Sequence, residues 1–196
     1  MSYTNGLDNP ELYFQTKLYT GNGSTNAITL DGDENMQPDW VWVKDRGRAG
    51  YNHNSYDSVR GATKLIWQNL TNAENTYADS LTSFNSDGFT LGADSNGEAN
   101  VNTQSYVAWN WKAGGSASSN SNGSITSSVS ASTTAGFSIV SYTGTGSNAT
   151  VGHGLGVAPS VVITKNRDLS SGGASNWRVG STMLGFTKRL NLNTTD

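Results

Sequence analysis

The sequence predicts an all-β protein built from tandem β-sandwich units of jelly-roll-like, lectin-like type, with the second unit incomplete. Composition is the first observation: only 14% of the residues are charged, whereas the chain holds 23 Gly, 6 Trp and 8 Tyr. Disordered chains instead combine low hydrophobicity with high charge and few aromatic residues. The second observation is that the apolar runs are short and bounded by Gly, Asn and Ser, as in strands joined by turns. The third is that one set of motifs occurs twice.

Three pairs of motifs carry this repeat, and they follow the same order in both copies. The pairs are Phe14–Ser24 with Phe137–Ser147 at a spacing of 123 residues, Pro38–Arg46 with Pro159–Arg167 at 121, and Thr63-Lys64 with Thr187-Lys188 at 124. Because the spacing drifts by only a few residues, we interpret the chain as two copies of one unit.

The repeat divides the chain into four segments. These are an N-terminal attachment segment (1–12), a first β-sandwich unit (13–112), a Ser/Gly-rich linker (113–135) and a partial second β-sandwich unit (136–196). Nothing in the second unit corresponds to Ser83–Lys112, and a β-domain without its last strands exposes unpaired edges. We therefore expect either a longer protein or another chain to complete the second unit. The linker is predicted to be flexible, although Ser124–Ser130 has strand-like content, and part of it could lie on a neighbouring sheet.

The strongest strand signals lie in matching places of the two units. Trp40–Val43 and Val161–Ile163 are apolar on both faces, which predicts central strands covered on two sides. Tyr106–Trp111 alternates, so that Val107, Trp109 and Trp111 share one face. Asn85–Gly88 is predicted to be a turn between two short strands.

One segment is ambiguous when it is considered alone. Val59, Thr63, Ile66 and Leu70 have helical spacing, but the matching segment Phe186–Leu192 alternates with a period of two. The repeat therefore favours a strand in both units.

The repeat also separates the tryptophans into two groups. Trp40 and Trp42 align with Val161 and Ile163, which favours packing in the core over a sugar-stacking platform. Trp67 aligns with Asn191, so we predict that it faces solvent and is the best single candidate for contact with a partner. The alternative is that Trp67 packs between units or chains.

A polar, aromatic loop over 51–57 supplies three further candidate binding residues, Tyr51, His53 and Tyr56. Ser55 and Asp57 flank His53, but no Gly-x-Ser-x-Gly elbow accompanies them, and residues two apart on a loop rarely form a catalytic triad. We predict no catalytic residues and no enzymatic activity.

We predict no metal site and no cofactor. The acidic turns at 31–35 and 94–98 hold oxygen ligands at alternate positions, but neither has the Gly and Glu spacing of an EF-hand loop, and solvated turns are the default interpretation. Zero Cys excludes disulfides and thiolate ligands. A net charge of −3 without a basic cluster argues against nucleic-acid binding, and no apolar run is long enough for membrane insertion.

Several longer motifs resemble a repeat family of tailed-bacteriophage virion proteins, of the type common in phages of marine bacteria and cyanobacteria. The motifs are Asp57–Lys64, Ser83–Gly92, Tyr106–Gly115 and Gly136–Gly156. The resemblance extends from Tyr13 onward and leaves out the N-terminal segment. Proteins of this kind are described as structural or tail-fibre proteins with domains of unknown function, so the resemblance implies a virion component and supplies no catalytic residue.

From this resemblance we expect a non-enzymatic virion protein, in the virion-proximal part of a tail fibre or host-recognition appendage. It would dock to other virion proteins and adhere to a host surface glycan or receptor through many weak sites. A homo-oligomer is expected, with a trimer favoured because fibres are commonly trimeric. Capsid decoration, or another virion-binding structural role, is the alternative, and a glycan-degrading tailspike-type enzyme is the third hypothesis.

Overall fold

The structure is a computed structural model that describes residues 9–195, and within this range the protein is all-β. Pro10–Leu12 form a short 3₁₀ turn, which Asn9 caps by accepting a hydrogen bond from the Glu11 amide at 3.1 Å. Most of the predicted attachment segment (1–12) lies outside the described residues. No helix in the described range is long and apolar enough to span a bilayer.

The first unit is a sandwich of two antiparallel sheets, as the sequence predicts. The six-stranded sheet has the order β1-β9-β3-β4-β5-β6, and the three-stranded sheet has the order β2-β8-β7. The strands are β1 (Phe14–Thr20), β2 (Asn26–Ile28), β3 (Trp40–Asp45), β4 (His53–Asp57), β5 (Gly61–Trp67), β6 (Asn75–Thr76), β7 (Leu81–Asn85), β8 (Gly88–Leu91) and β9 (Ser105–Trp111). β9 lies between β1 and β3, so the last strand of the unit closes the sheet that the first strand begins.

The core of the sandwich lies between these two sheets. Strand alternation sends Val41 and Val43 of β3 inward, opposite Phe89 and Leu91 of β8, and all four side chains are buried. The other buried apolar side chains of this core are Ile28, Tyr56, Leu65, Trp67, Leu81, Ala99, Tyr106 and Ala108. Burial of each large apolar side chain contributes roughly 1.5–3 kcal/mol, so this core provides most of the unit's stability.

The predicted turn at Asn85–Gly88 is confirmed. β7 and β8 form a hairpin in which Asn85 pairs with Gly88. Gly88 has a φ of +107°, and a Cβ there would lie 2.0 Å from the carbonyl oxygen of Ile28. Only glycine satisfies both conditions, which fixes the position of this hairpin.

The segment predicted to be a flexible linker (113–135) instead contributes two strands. β10 (Ser118–Asn120), β11 (Ser127–Ser132) and β12 (Phe137–Ser141) form a three-stranded antiparallel sheet. The alternative stated for Ser124–Ser130, that part of the segment lies on a sheet, describes β11, where two serines are buried and use their side chains as hydrogen-bonding groups. Ser127 Oγ donates to the carbonyl of Gly152, and Ser130 Oγ accepts from the amide of Gly114.

The last sheet consists of β13 (Val161–Thr164), β14 (Arg178–Ser181) and β15 (Leu190–Asn191), joined in the order β13-β14-β15. A second 3₁₀ turn, Gly173–Ser175, precedes β14. The strand predicted over Phe186–Leu192 is thus confined to two residues. In the first unit the equivalent segment is the full strand β5, which decides against the helical alternative for Val59–Leu70.

The strand registers reproduce the repeat. Trp40 pairs with Asp57 across β3 and β4, and Val161 pairs with Ser181 across β13 and β14. Val161 lies 121 residues after Trp40, and Ser181 lies 124 residues after Asp57. Asn54 pairs with Trp67 across β4 and β5, and Arg178 pairs with Asn191 across β14 and β15, both shifted by 124. β1 and β12 are each followed by a left-handed glycine 123 residues apart, Gly23 (φ +66°) and Gly146 (φ +78°). The three-stranded meander β3-β4-β5 therefore recurs as β13-β14-β15.

The environments of the two meanders differ. β3 is central in its sheet, whereas β13 is an edge strand among the described residues, and all four of its residues are exposed. The prediction of a covered central strand at Val161–Ile163 is therefore wrong for the described part of the chain. The opposing sheet that buries Val41 has no described counterpart over the equivalent Val162.

The last sheet packs against the first unit at the end of β5. The indole Nε1 of Trp177 donates to the backbone carbonyl of Trp67 at 2.7 Å, and Trp177 is buried. Arg167 lies 3.4 Å from the Glu74 carboxylate, and Lys165 Nζ donates to the carbonyl of Thr71 at 3.1 Å. The Glu74 amide also donates to the Arg167 carbonyl at 2.7 Å, and Thr71 Oγ1 donates to the Ser170 carbonyl at 3.0 Å, so one buried indole and several polar contacts join the two units here.

Candidate functional site

The candidate functional site is a cluster of aromatic side chains on the outer face of the six-stranded sheet, the face that points away from the sandwich core. We call it the aromatic face, and it consists of Phe14, Trp40, Trp42, Trp109, Trp111 and Phe137. Strand alternation produces it: Val41 and Val43 point inward from β3, so Trp40 and Trp42 point outward. The same rule sends Trp109 and Trp111 outward from the neighbouring strand β9, directly opposite Trp42 and Trp40.

The rings of the aromatic face form a continuous stack. The Trp40 ring is 4.4 Å from that of Trp111 and 6.0 Å from that of Trp42, between nearly parallel planes. Trp42 meets Trp109 edge-on at 5.4 Å. Phe14 packs on Trp111 at 4.9 Å, and Phe137 from β12 stacks on Trp40 at 5.9 Å. All four indoles are only partly buried, so the stack presents aromatic surface to solvent.

Hydrogen bonds from β4 fix two of the indoles. Trp40 Nε1 donates to Ser55 Oγ at 2.7 Å, and Trp42 Nε1 donates to His53 Nδ1 at 3.0 Å. Burial, with a smaller contribution from the positive charge of Lys44, lowers the pKa of His53 below its ordinary value. The ring is therefore neutral near pH 7, which leaves Nδ1 free to accept and assigns the proton to Nε2. These bonds hold the rings in one orientation and reduce the entropy that a ligand would otherwise cost on binding.

Of the four predicted binding residues, two lie on or near this face. His53 is at its edge, with its ring 5.6 Å from that of Trp42. Tyr51 is 40% exposed in the β3–β4 connection, where the Arg48 guanidinium lies 3.5 Å from its ring centre. The segment predicted to be a loop over 51–57 is mainly strand β4, because it pairs on both edges, with β3 and with β5.

The other two predicted residues lie in the core, which corrects the prediction for both. Tyr56 is completely buried, and its hydroxyl shares a hydrogen bond with Ser80 Oγ at 2.7 Å. Trp67 is buried against Tyr77, and its Nε1 donates to Glu98 Oε2 at 3.1 Å. The prediction that Trp67 faces solvent is wrong because its partner position, Asn191, lies on a sheet that no described second layer covers. Equivalent register does not imply equivalent burial.

The core placement predicted for Trp40 and Trp42 is also wrong. Both side chains leave the core on the opposite side of the sheet from Val41 and Val43. Strand alternation places Trp109 and Trp111 on one face, but nothing in the local sequence joins that face to Trp40 and Trp42. The signal that could have joined them is the pairing of β9 with β3, which links residues far apart in the chain.

Two surface cavities lie near the ends of this sheet. A small apolar groove of about 160 Å³ runs beside the aromatic face between Phe14, Trp111 and Phe137. A more polar depression of about 390 Å³ includes Asp39, Lys112 and Thr133. The carboxylate of Asp39 already accepts from the amides of Ala113 and Gly115 at 2.8 and 3.0 Å, so it serves to fix the chain where β9 ends.

The polar side chains that could suggest catalysis are each engaged in structural contacts. Ser55 and His53 accept the two indole bonds, and the Asp57 carboxylate pairs with Arg60, so these three residues form no hydrogen bond with one another. In the acidic turn at 94–98, Asp94 Oδ2 accepts from the amides of Ala99 and Asn100 at 2.6 and 2.7 Å. Within residues 9–195 no group of three or more His, Asp or Glu side chains is arranged to hold a metal ion.

Two carboxylates have shifted pKa values for opposite reasons. Burial raises the pKa of Glu98, and this effect outweighs the opposing hydrogen bond from Trp67. Burial acts in the same direction on Asp45, but hydrogen bonds from Arg48 and Gly47 outweigh it and lower the pKa of Asp45. Glu98 contacts a core indole, and Asp45 forms an ion pair with Arg48, so both belong to the structural framework.

Comparison with curated proteins finds no match, and comparison with solved structures finds none. A protein-family model described as "Domain of unknown function (DUF7483)" matches residues 9–196, which is nearly the whole chain. This match includes both meanders and the aromatic face. The chain therefore belongs to the DUF7483 family.

Proposed function

We propose that this protein is a non-enzymatic structural component of a phage virion, in the virion-proximal part of a tail fibre or host-recognition appendage. It docks to other virion proteins and adheres to a host surface glycan or receptor. The motif resemblance described above supports the virion location. The aromatic face supports the adhesion.

The single observation that carries the adhesive role is the fixed, partly exposed stack of four indoles. Flat aromatic surface binds apolar faces of ligands, such as those of sugar rings, and buries a large area with little loss of side-chain freedom. Trp40 and Trp42 are already held by Ser55 and His53, so a ligand meets a preformed surface. The groove beside Phe137 extends this surface.

Each aromatic face is expected to bind its ligand weakly, and one virion is expected to carry many copies of it. When several copies of a weak site are carried on one particle, each further contact forms at a high effective concentration, so avidity rises without a tight single contact. A homotrimeric fibre would present three aromatic faces per appendage.

The test is binding of the purified protein to an array of bacterial lipopolysaccharides and capsular polysaccharides. Trp42→Leu and Trp109→Leu remove the exposed rings but keep apolar volume, and we expect each to weaken binding by about tenfold, as expected for loss of a stacking contact. Leu18→Ser is the matched control, because Leu18 is exposed on the same sheet but lies outside the aromatic face. Equal binding by all four proteins would contradict the adhesive role.

A capsid decoration role is the alternative, because the same apolar surface suits a protein partner on the shell. Gold-labelled antibody against this protein, imaged on intact virions, separates the two locations directly. Signal on the tail supports the appendage, and signal on the head supports decoration. Incubation of the protein with the polysaccharides it binds tests the enzymatic hypothesis, since any shortening of the chains would contradict a purely adhesive function.

A further inference from the structure

Among residues 9–195, the edge of β13 that faces away from β14 has no partner strand, whereas the equivalent edge of β3 in the first unit is paired. In the first unit β3 is paired on both edges, with β4 on one side and β9 on the other. β13 pairs with β14 in the register equivalent to β3 with β4. The remaining edge of β13 is therefore the structural counterpart of the β3 edge that binds β9.

Two hydrogen bonds establish which backbone groups point to each edge. The Ser58 amide donates to the Asp39 carbonyl at 2.9 Å, and the Thr182 amide donates to the Ser160 carbonyl at 3.0 Å. The two bonds are equivalent in the two units, because the donors lie 124 residues apart and the acceptors lie 121 residues apart. In antiparallel pairing alternate residues face opposite edges, so Ser160, Val162 and Thr164 face β14. The N–H and C=O groups of Val161 and Ile163 then face the open edge.

The side chains on this edge are exposed as well. Val161 and Ile163 are 57% and 44% exposed, whereas their counterparts Trp40 and Trp42 contact the rings of Trp111 and Trp109 of β9. A strand paired to this edge would bring its alternate side chains over Val161 and Ile163 in the same way. An open edge with apolar flanks is also a site where β-strand addition is favoured.

We propose that the free edge of β13 binds an extended segment of β9 type from another polypeptide chain. The segment pairs antiparallel to β13 and carries aromatic or large apolar side chains at alternate positions, in the pattern that Tyr106–Trp111 shows in the first unit. Its backbone completes the hydrogen bonds of Val161 and Ile163, and its aromatic side chains cover their exposed surface.

The β9 strand of a second folded copy does not fit this role. β9 is paired with β1 on one edge and with β3 on the other, so lending it would break the largest sheet of its own unit. The proposal therefore requires a segment that is not already flanked on both sides. Pairing of two β13 edges from two copies is the competing arrangement, and the experiment below is designed to distinguish it.

The test uses the full chain labelled with ¹⁵N and a synthetic peptide with the sequence of residues 104–112. We expect saturable binding that slows hydrogen exchange at the Val161 and Ile163 amides by at least about tenfold, because both become hydrogen-bonded. The Val162 amide faces β14 already and should change less. A control peptide with Ser in place of both tryptophans should bind at least about tenfold more weakly.

Ile163→Pro removes one amide from the open edge without removing a donor to β14, and it should abolish the peptide effect. Unchanged exchange in β3 and β9 shows that the variant remains folded. The proposal is overturned if the peptide protects no β13 amide, or if it protects β14 and β15 equally. It is also overturned if sedimentation shows a dimer of the free protein that Ile163→Pro dissociates, because the two β13 edges would then pair with each other.

Discussion

Gly88 combines two steric requirements at a single residue, a left-handed backbone and close contact with a neighbouring strand. Its φ is +107°, and an added Cβ would lie 2.0 Å from the Ile28 carbonyl oxygen. We predict that Gly88→Ala lowers the free energy of unfolding by about 2–4 kcal/mol, measured by urea denaturation. Gly136→Ala is the control, because Gly136 has a φ of +65° but open space around it, and it should lose only about 1 kcal/mol. Equal losses would show that the contact with Ile28 is unimportant.

Glu98 carries a charge that the folded state disfavours. Burial raises its pKa in the folded protein, so the folded state holds the proton more tightly than the unfolded state does. The contribution of this group to the free energy of unfolding is therefore greatest at low pH. It falls as the pH rises from the ordinary pKa of a glutamate, about 4, through the raised pKa of the folded state.

We predict that Glu98→Gln is more stable than the wild type at pH 7, since an amide oxygen can still accept the hydrogen bond from Trp67. The difference should shrink as the pH falls below the folded pKa. Thermal melting at several pH values measures this difference, and Glu34→Gln, in the exposed acidic turn at 31–35, is the control. A variant that is less stable than the wild type at pH 7 would contradict the role of burial.

At the residue scale, the sequence predicted the register of a residue in its strand better than it predicted the burial of its side chain. The match of Trp67 to Asn191 is correct in register, as the pairs Asn54–Trp67 and Arg178–Asn191 show. The inference from that match to an exposed Trp67 failed, because Glu98 and Tyr77 cover it only in the first unit. Burial depends on which layer covers a strand, and that layer comes from distant parts of the chain.

At the scale of elements, β3 and β13 are the same strand in two environments. Val41 is completely buried between two sheets, and the equivalent Val162 is 38% exposed. We predict that Val41→Ala costs about 2–3 kcal/mol of unfolding free energy through lost burial and the cavity left behind. Val162→Ala should change it by less than about 0.5 kcal/mol. Urea denaturation of both variants tests this pair, and similar losses would mean that β13 is covered in solution.

The elements also show where local sequence is informative. The Asn85–Gly88 turn was predictable because its chemistry is contained in adjacent residues. The sequence around strand β11 left two interpretations open, because Ser124–Ser130 has strand-like content but its serines suggest flexibility when they are considered alone. Two of them are buried, and they bond to Gly152 and Gly114, so only the folded partners show that the segment is ordered.

At the scale of the whole molecule, the repeat predicted the tandem architecture, whereas the contact between the units was not predictable. The spacings of 121 and 124 residues recur in the strand registers, which confirms that one meander was used twice. The contact instead depends on Trp177, whose counterpart at the β14 spacing of 124 residues is His53 and which donates to a backbone carbonyl. A backbone acceptor has no sequence signature.

Trp177 supplies the only buried indole that joins the last sheet to the first unit within the described residues. We predict that Trp177→Ala leaves the first sandwich folded but loosens β13–β15, because only polar contacts such as Arg167 with Glu74 would remain. Hydrogen exchange should rise by at least about tenfold across 161–191 and stay unchanged in β3 and β9. Trp177→Phe keeps the ring but removes the hydrogen bond, and it should produce a smaller increase confined to the same residues. Faster exchange throughout the chain would instead mean that the two units unfold as one cooperative body.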